Sequence, residues 1–404
     1  MRYTSSRPGM ALVALAVAGL LAGCGPSRAE LEAEAARVMA ETEAARIAAL
    51  PPPIDLNDSV AQAASIYLTY TRDVATIQSG FSSPAEVQAA LRRGAASDPD
   101  QISRGLVAYA SILALQSPEF VAGVRQAGAT PAERRQVISR VVSDPTYAST
   151  LPGAQAAASL IMAVMEQDIE AVARASDAVE SDAYAVQSRA DPRRGWAIAP
   201  LDNRQERLQS IKDLTTQRVL PDAAETARLS AAANQGEGLA TPAMVRVRSG
   251  PYPTSVSNAL AMAALAALGA AGDNARANTD ALQYDRQSQD CLASSKLNLF
   301  QCLAASRPSY EEIFCVGRHA MRDLASCARG AALPAAIVTV DAPTQSRADR
   351  SPAITPRALP PTPEFSVPEP AITPAPIAAP VVPPAQPDAD LSPTQRLNGS
   401  GPTR

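Results

Sequence analysis

The residues of this chain that could do chemistry are few, and most lie in one short stretch. Cys291, Cys302, Cys315 and Cys327 follow one another near the end of the helical sequence, with the only histidine, His319, among them. In an oxidising compartment four cysteines allow three pairings. The flanking segments, roughly 285–305 and 309–328, read as helices joined at Arg307-Pro308. Cysteines 11 or 12 residues apart on one helix lie about 16–18 Å apart, whereas a disulfide needs Cα atoms within about 7 Å. That excludes Cys291–Cys302 with Cys315–Cys327. Opposed positions of an antiparallel hairpin keep a constant index sum, and the sums for Cys302–Cys315 and Cys291–Cys327 differ by only one. The crossed pairing would slide one helix past the other by about three turns. A two-rung ladder is expected. The interval of 12 leaves Cys327 about a third of a turn off the face of Cys315, a misfit that Gly317 is placed to absorb.

The ladder resembles the twin-cysteine helical hairpins of mitochondrial intermembrane-space proteins. Those use C-x9-C twice and this chain x10 and x11, so the geometry carries over and the family does not. A zinc site can also be drawn: Cys315 and His319 are four apart on one helix face, and any other cysteine of the set could join them. The tight C-x2–4-C pairs of such sites are missing, so no metal is expected, and without C-x-x-C neither is redox catalysis. A single histidine restricts general-base chemistry. No G-x-S-x-G elbow, H-E-x-x-H pair or Walker loop occurs. A carboxylate pair for glycoside hydrolysis could hide among 40 acidic residues, but sugar sites want aromatic platforms and few are present. Trp196, between Arg193-Arg194 and Ile198, reads as a packing anchor at a helix junction. No catalytic residue and no cofactor is expected; the chain does not read as an enzyme.

One further cysteine stands apart. Arg2 and Arg7 precede an uncharged apolar run, Met10 to Ala22, and Leu21-Ala22-Gly23 leads into Cys24. The run spans about 20 Å as a helix, too short for a bilayer, and so reads as a secretory signal over residues 1–23. Its ending resembles the lipobox of bacterial lipoproteins. That resemblance implies diacylglycerol on the Cys24 thiol, cleavage before it and acylation of the new N-terminus. Each buried methylene contributes about 0.8 kcal/mol, so three acyl chains would hold the protein on membrane lipid almost permanently. In that family an Asp after the cysteine retains the protein at the inner membrane; Gly25 here points to the outer membrane, facing the periplasm.

These residues must be positioned by helices. Ser27–Leu50 is rich in Ala and Glu without Pro or Gly, and Pro51-Pro52-Pro53 ends it. Between Asn57 and Gln78, Val60, Tyr67 and Val74 alternate with Ala63, Tyr70 and Ile77 at 3-4 spacing, a helix-packing seam read as facing its own bundle rather than a coiled-coil partner. Ser83-Pro84, Asp98-Pro99, Ser117-Pro118, Thr130-Pro131 and Asp144-Pro145 each place a side-chain acceptor at N-cap and Pro in the first turn. Glu86 and Glu133 complete capping boxes. Their intervals are too irregular for a tetratricopeptide array. Pro152 to about Arg189 reads as one long helix with Ser176 interrupting its apolar stripe. Asp202–Val219 is expected antiparallel against it, and Asp222–Asn234 adds another helix. Glycines and prolines make 236–254 a linker or loop. Ala259–Ala271, mostly alanine, is too short to span a membrane and reads as a helix buried in protein.

The expected architecture is all-α: an irregular antiparallel bundle with a long central helix, a bridged C-terminal hairpin and a disordered Pro-rich tail. Its divisions are the signal (1–23), a lipidated helix with Pro linker (24–53), a helical bundle (54–235), the Gly/Pro stretch (236–254), the four-Cys segment (255–332) and a Pro/Ala-rich tail (333–404) too poor in apolar surface to fold. Net charge is −4, so nucleic acid is not an expected partner. The chain reads as a lipid-anchored cell-envelope scaffold or adaptor with envelope-protein partners. The alternative is a ligand- or peptidoglycan-associated binding protein using a cleft between the short helices after Ser83.

Overall fold

The computed structural model describes residues 27–235, 239–242 and 245–334. Cys24, the expected signal at 1–23 and nearly all of the Pro-rich tail lie outside them. The first helix, α1 (Arg28–Ala49), is held by local terms. Ser27 and Glu30 cap its start reciprocally, the Ser27 N–H donating to Glu30 at 2.6 Å. Arg28–Glu32, Arg37–Glu34 and Arg46–Glu43 pair along its side. Its described side chains are all exposed, Leu31, Val38 and Met39 included. A reciprocal cap and charge pairs three or four residues apart favour a helix without tertiary contacts, so α1 gets its helicity without a core.

The body begins with α2 (Asp58–Ala75), α3 (Pro84–Ala95), α4 (Pro99–Leu115), α5 (Pro118–Ala127) and α6 (Pro131–Ser143). At each proline-marked start the preceding side chain accepts a backbone N–H: Ser83 from Glu86, Asp98 from Gln101, Ser117 from Phe120, Thr130 from Glu133, and Asp144 from Thr146. Two details depart from expectation. Thr130–Glu133 closes a full capping box, but Glu86 reaches past Ser83 to the backbone and hydroxyl of Ser82. Asp144 starts a 3-10 turn, Pro145–Thr150, too short to become an α-helix. The 3-4 seam of α2 faces α4, with Val60, Tyr67 and Val74 fully buried. Gly105 permits that approach: a Cβ there would press on the Ala63 carbonyl and lie 2.6 Å from the Cβ of Tyr67.

The long helix α7 (Ala154–Ala185) follows, shorter at both ends than its apolar stripe suggests because Leu151–Gly153 forms a turn and the chain loosens after Val186. Next come a single turn, α8 (Arg194–Ala197), then α9 (Arg204–Thr215) and α10 (Ala223–Gln235). The expectation for α9 needs correction: it packs on α3 and the hairpin rather than along α7. The segment 186–203, broken by turns and the single turn α8, separates α9 from α7, and α9 has only Ile211 fully buried. The buried alanine helix is α11 (Thr254–Ala267), enclosed on every side and lying against α4. After α12 (Arg276–Leu282), the hairpin consists of α13 (Arg286–Ala305) and a returning arm. That arm runs from α14 (Ser309–Cys315) through a π-helical stretch, Val316–Arg322, into α15 (Asp323–Ala332).

One apolar core joins α2, α4, α7, α11 and the returning arm, so the segments on either side of 236–254 share their interior. The described residues contain helices and no strand, only two isolated bridges, Leu56 with Ala271 and Pro200 with Pro308. None of their helices is alone long and apolar enough to cross a membrane. The fold is all-α with a bridged C-terminal hairpin.

Candidate functional site

Two disulfides join the hairpin arms, Cys302–Cys315 with Cα atoms 5.8 Å apart and Cys291–Cys327 at 5.6 Å. The π stretch explains how unequal spacings face each other. A π turn takes up one residue more than an α turn, so the 12 steps from Cys315 to Cys327 cover the same angle as the 11 from Cys291 to Cys302. Gly317 lies in that stretch, where a Cβ would sit 2.9 Å from the backbone nitrogen of Glu180 on α7. Ser176, the polar break in α7's stripe, is fully buried and donates to the Gly317 carbonyl at 3.0 Å.

The bridges leave these four sulfurs no thiolate for a metal or a nucleophile. His319 does not approach them as a ligand would: its Nδ1 lies 2.9 Å from Asp323 Oδ2, and Phe314 meets its ring edge-on. Beside it is Lys296, whose ammonium donates to the Ser97 carbonyl. Burial pushes that ammonium down to about 8, partly opposed by the negative charge of Asp98. Tyr70 closes the same place, its hydroxyl donating to the Gly94 carbonyl at 2.6 Å and burial raising it to about 12. The space between them is about 30 Å³, room for one water and no substrate.

Larger space opens near the hairpin's loop. A groove of about 570 Å³ runs between α3 and the segment leading into α9, with Gln88, Arg92, Trp196, Asp202, Asn203 and Glu206 among its walls. The hairpin loop braces it. Leu201 N–H donates to the Arg307 carbonyl at 2.8 Å, and Arg204 donates to the carbonyls of Ser306 and Ala304 at 2.6 and 2.9 Å. The guanidinium of Arg207 pairs with the buried carboxylate of Glu312. These contacts fix the start of α9 to the loop that Cys302–Cys315 closes.

Four polar side chains of the groove are uncommitted. Arg92, Asp202, Asn203 and Glu206 are exposed and make no side-chain hydrogen bond or ion pair among the described residues. Gln88 donates its amide to Ser210 and the Arg207 carbonyl, but its Oε1 is buried without a partner. Asn203 alone among the described non-glycine residues has positive φ, 50°, a left-handed conformation that asparagine tolerates better than most. Two further open grooves lie elsewhere. One is by Arg104 and Leu220, the other by Arg246 and Arg329. Neither has an aromatic wall or a buried polar atom lacking a partner.

The structure thus brings Cys291, Cys302, Cys315 and Cys327 together in two bridges and sets His319 beside them without joining it to them, while Cys24 lies outside the described residues. Trp196 packs on the core, as an anchor would, but stays half-buried and also lines the groove. Sequence reasoning missed Arg92, Asp202, Asn203 and Glu206. The only local signal was the Asp-Asn turn before α9; nothing in the spacing tied it to α3. Comparison with known proteins finds no matching family model, no similar curated protein and no similar solved structure.

Proposed function

We propose that the protein is a lipid-tethered, non-catalytic scaffold or adaptor of the bacterial cell envelope, attached through Cys24 to the outer membrane and facing the periplasm. The observation that carries this reading is α1. A helix of 22 residues, with its described side chains exposed and its ends and flanks stabilised by its own charges, is built as a spacer of about 33 Å. It starts four residues after Cys24, which is where a stand-off between anchor and body belongs. The non-catalytic part is supported by the fate of the reactive groups: four cysteines spent in bridges and the sole histidine held against Asp323.

Fractionation of cells making the wild type or Cys24→Ser tests it. Labelled palmitate on the wild type and release of the variant from the membrane fraction are expected. An unlabelled wild type, or a variant that stays in the membrane, would refute the tether.

A further inference from the structure

We infer that the groove beneath Trp196 is a binding site for a neutral saccharide chain. A sugar ring has an apolar C–H face and a rim of hydroxyls, each able to donate and accept. Its recognition calls for an aromatic plate beside side chains of mixed donor and acceptor character. The groove has that combination, and neither the groove by Arg104 and Leu220 nor the one by Arg246 and Arg329 has the plate. Trp196 supplies the plate, in a chain with no second tryptophan. Around it Arg92 offers only donors, Asp202 and Glu206 only acceptors, and Asn203 both.

The size and charge narrow the class. About 570 Å³ falls within the 300–1,000 Å³ of small-molecule sites. Arg92 shares the groove with the carboxylates of Asp202 and Glu206, and Arg207 is already neutralised by Glu312, so the walls carry no excess of positive charge for an acidic ligand. The site is also preorganised. Its strap, residues 200–207, is tied to the disulfide-closed loop by the Leu201, Arg204 and Arg207 contacts, which lowers the ordering cost of binding. Envelope polysaccharide is then a partner class for the tethered body. The inference does not depend on lipid at Cys24, since the groove belongs to the body alone.

The lone tryptophan makes the test direct. The full chain, in a detergent without a sugar headgroup, is titrated with chitotriose, with a galacturonic acid trimer and with trialanine while Trp196 emission is followed. Chitotriose is expected to shift the emission saturably with Kd of about 0.1–10 mM, at least about threefold tighter than the acidic trimer, and trialanine to do nothing. By calorimetry, Trp196→Ala should weaken chitotriose about tenfold and Trp196→Phe much less, the difference an aromatic plate makes. Asp202→Ala with Glu206→Ala, exposed positions without partners in the fold, should weaken it about threefold or more. No shift with chitotriose up to about 20 mM, full affinity in Trp196→Ala, or binding of trialanine in place of the sugar overturns the inference. The Cys24→Ser chain should bind as the wild type does, so failure here and failure of the tether are separate results.

Discussion

Replacing Lys296 by methionine should stabilise the protein at neutral pH, although it removes a hydrogen-bonded side chain. The Lys296 ammonium donates to the Ser97 carbonyl at the start of α4, in a place where burial lowers its pKa from 10.5 to about 8. At about 1.36 kcal/mol per unit, that displacement corresponds to a charge penalty near 3 kcal/mol. The group is only partly buried, so solvent screening reduces the figure to roughly 2. Losing the bond to Ser97 costs about 1 kcal/mol. The variant should therefore gain about 1 kcal/mol at pH 6.5. The sign then changes with pH. Between about 8 and 10.5 the unfolded chain binds the proton that the folded one has released, so wild-type stability rises with pH relative to the variant. Near pH 10 the methionine variant should be the less stable by up to about 1 kcal/mol. The two proteins differ only at residue 296, so the difference between them reports on that side chain. Urea unfolding followed by far-ultraviolet circular dichroism, with Cys24→Ser in both backgrounds, measures it from pH 6.5 to 9.5. A difference that stays constant over that range, or a variant destabilised at pH 6.5, refutes the reasoning.

Two further perturbations probe the brace and the core. Cys302→Ser with Cys315→Ser opens a loop of sequence separation 13 and should cost about 3 kcal/mol. Hydrogen exchange should then show the amides of 201–207 losing protection, whereas opening Cys291–Cys327 leaves them protected; equal loss in both would break the link between loop and groove. Asp168→Asn should stabilise by about 1 kcal/mol at pH 7, because burial raises the Asp168 carboxyl above its ordinary 3.8 and its Oδ2 has no partner. The folded state binds the extra proton, so the advantage is full above the raised pKa and fades as pH falls toward 3.8; a benefit that persists at pH 3 would point to packing instead of charge.

What was legible in the sequence follows the distance over which each signal acts. The five proline-marked caps involve contacts two or three residues away, and all five formed. The seam Val60, Tyr67, Val74 and the fully buried alanine helix were readable because periodicity and small side chains dictate which faces must leave water. The hairpin register was readable too, since two rigid helices and a covalent distance limit leave one arrangement. The course of the chain after α7 was not. Residues 186–203 hold no strong period, and α9, with little to bury, goes where the Arg204 and Arg207 contacts hold it. The groove is invisible for the same reason: Arg92 and Glu206 line it from more than a hundred residues apart, and neither has a local partner that would mark it.

The two local misfits in the sequence turn out to be one contact. Ser176 breaks an otherwise apolar stripe, and the cysteine interval of 12 breaks an otherwise regular ladder. Each looks like a defect when read along its own helix. In the fold Ser176 meets the Gly317 carbonyl within the π stretch. That stretch takes up the extra residue, and its glycine leaves room for the backbone of Glu180. Removing either peculiarity alone would weaken the other: an apolar residue at 176 would lose the bond that ties α7 to the π stretch, and a side chain at 317 would push α7 away from the arm that carries Cys315 and Cys327. Departures from helical regularity therefore hold information of longer range than the regularity itself. A pair of them, 141 residues apart, locates the crossing of the central helix over the bridged hairpin, which the periodic residues could not do.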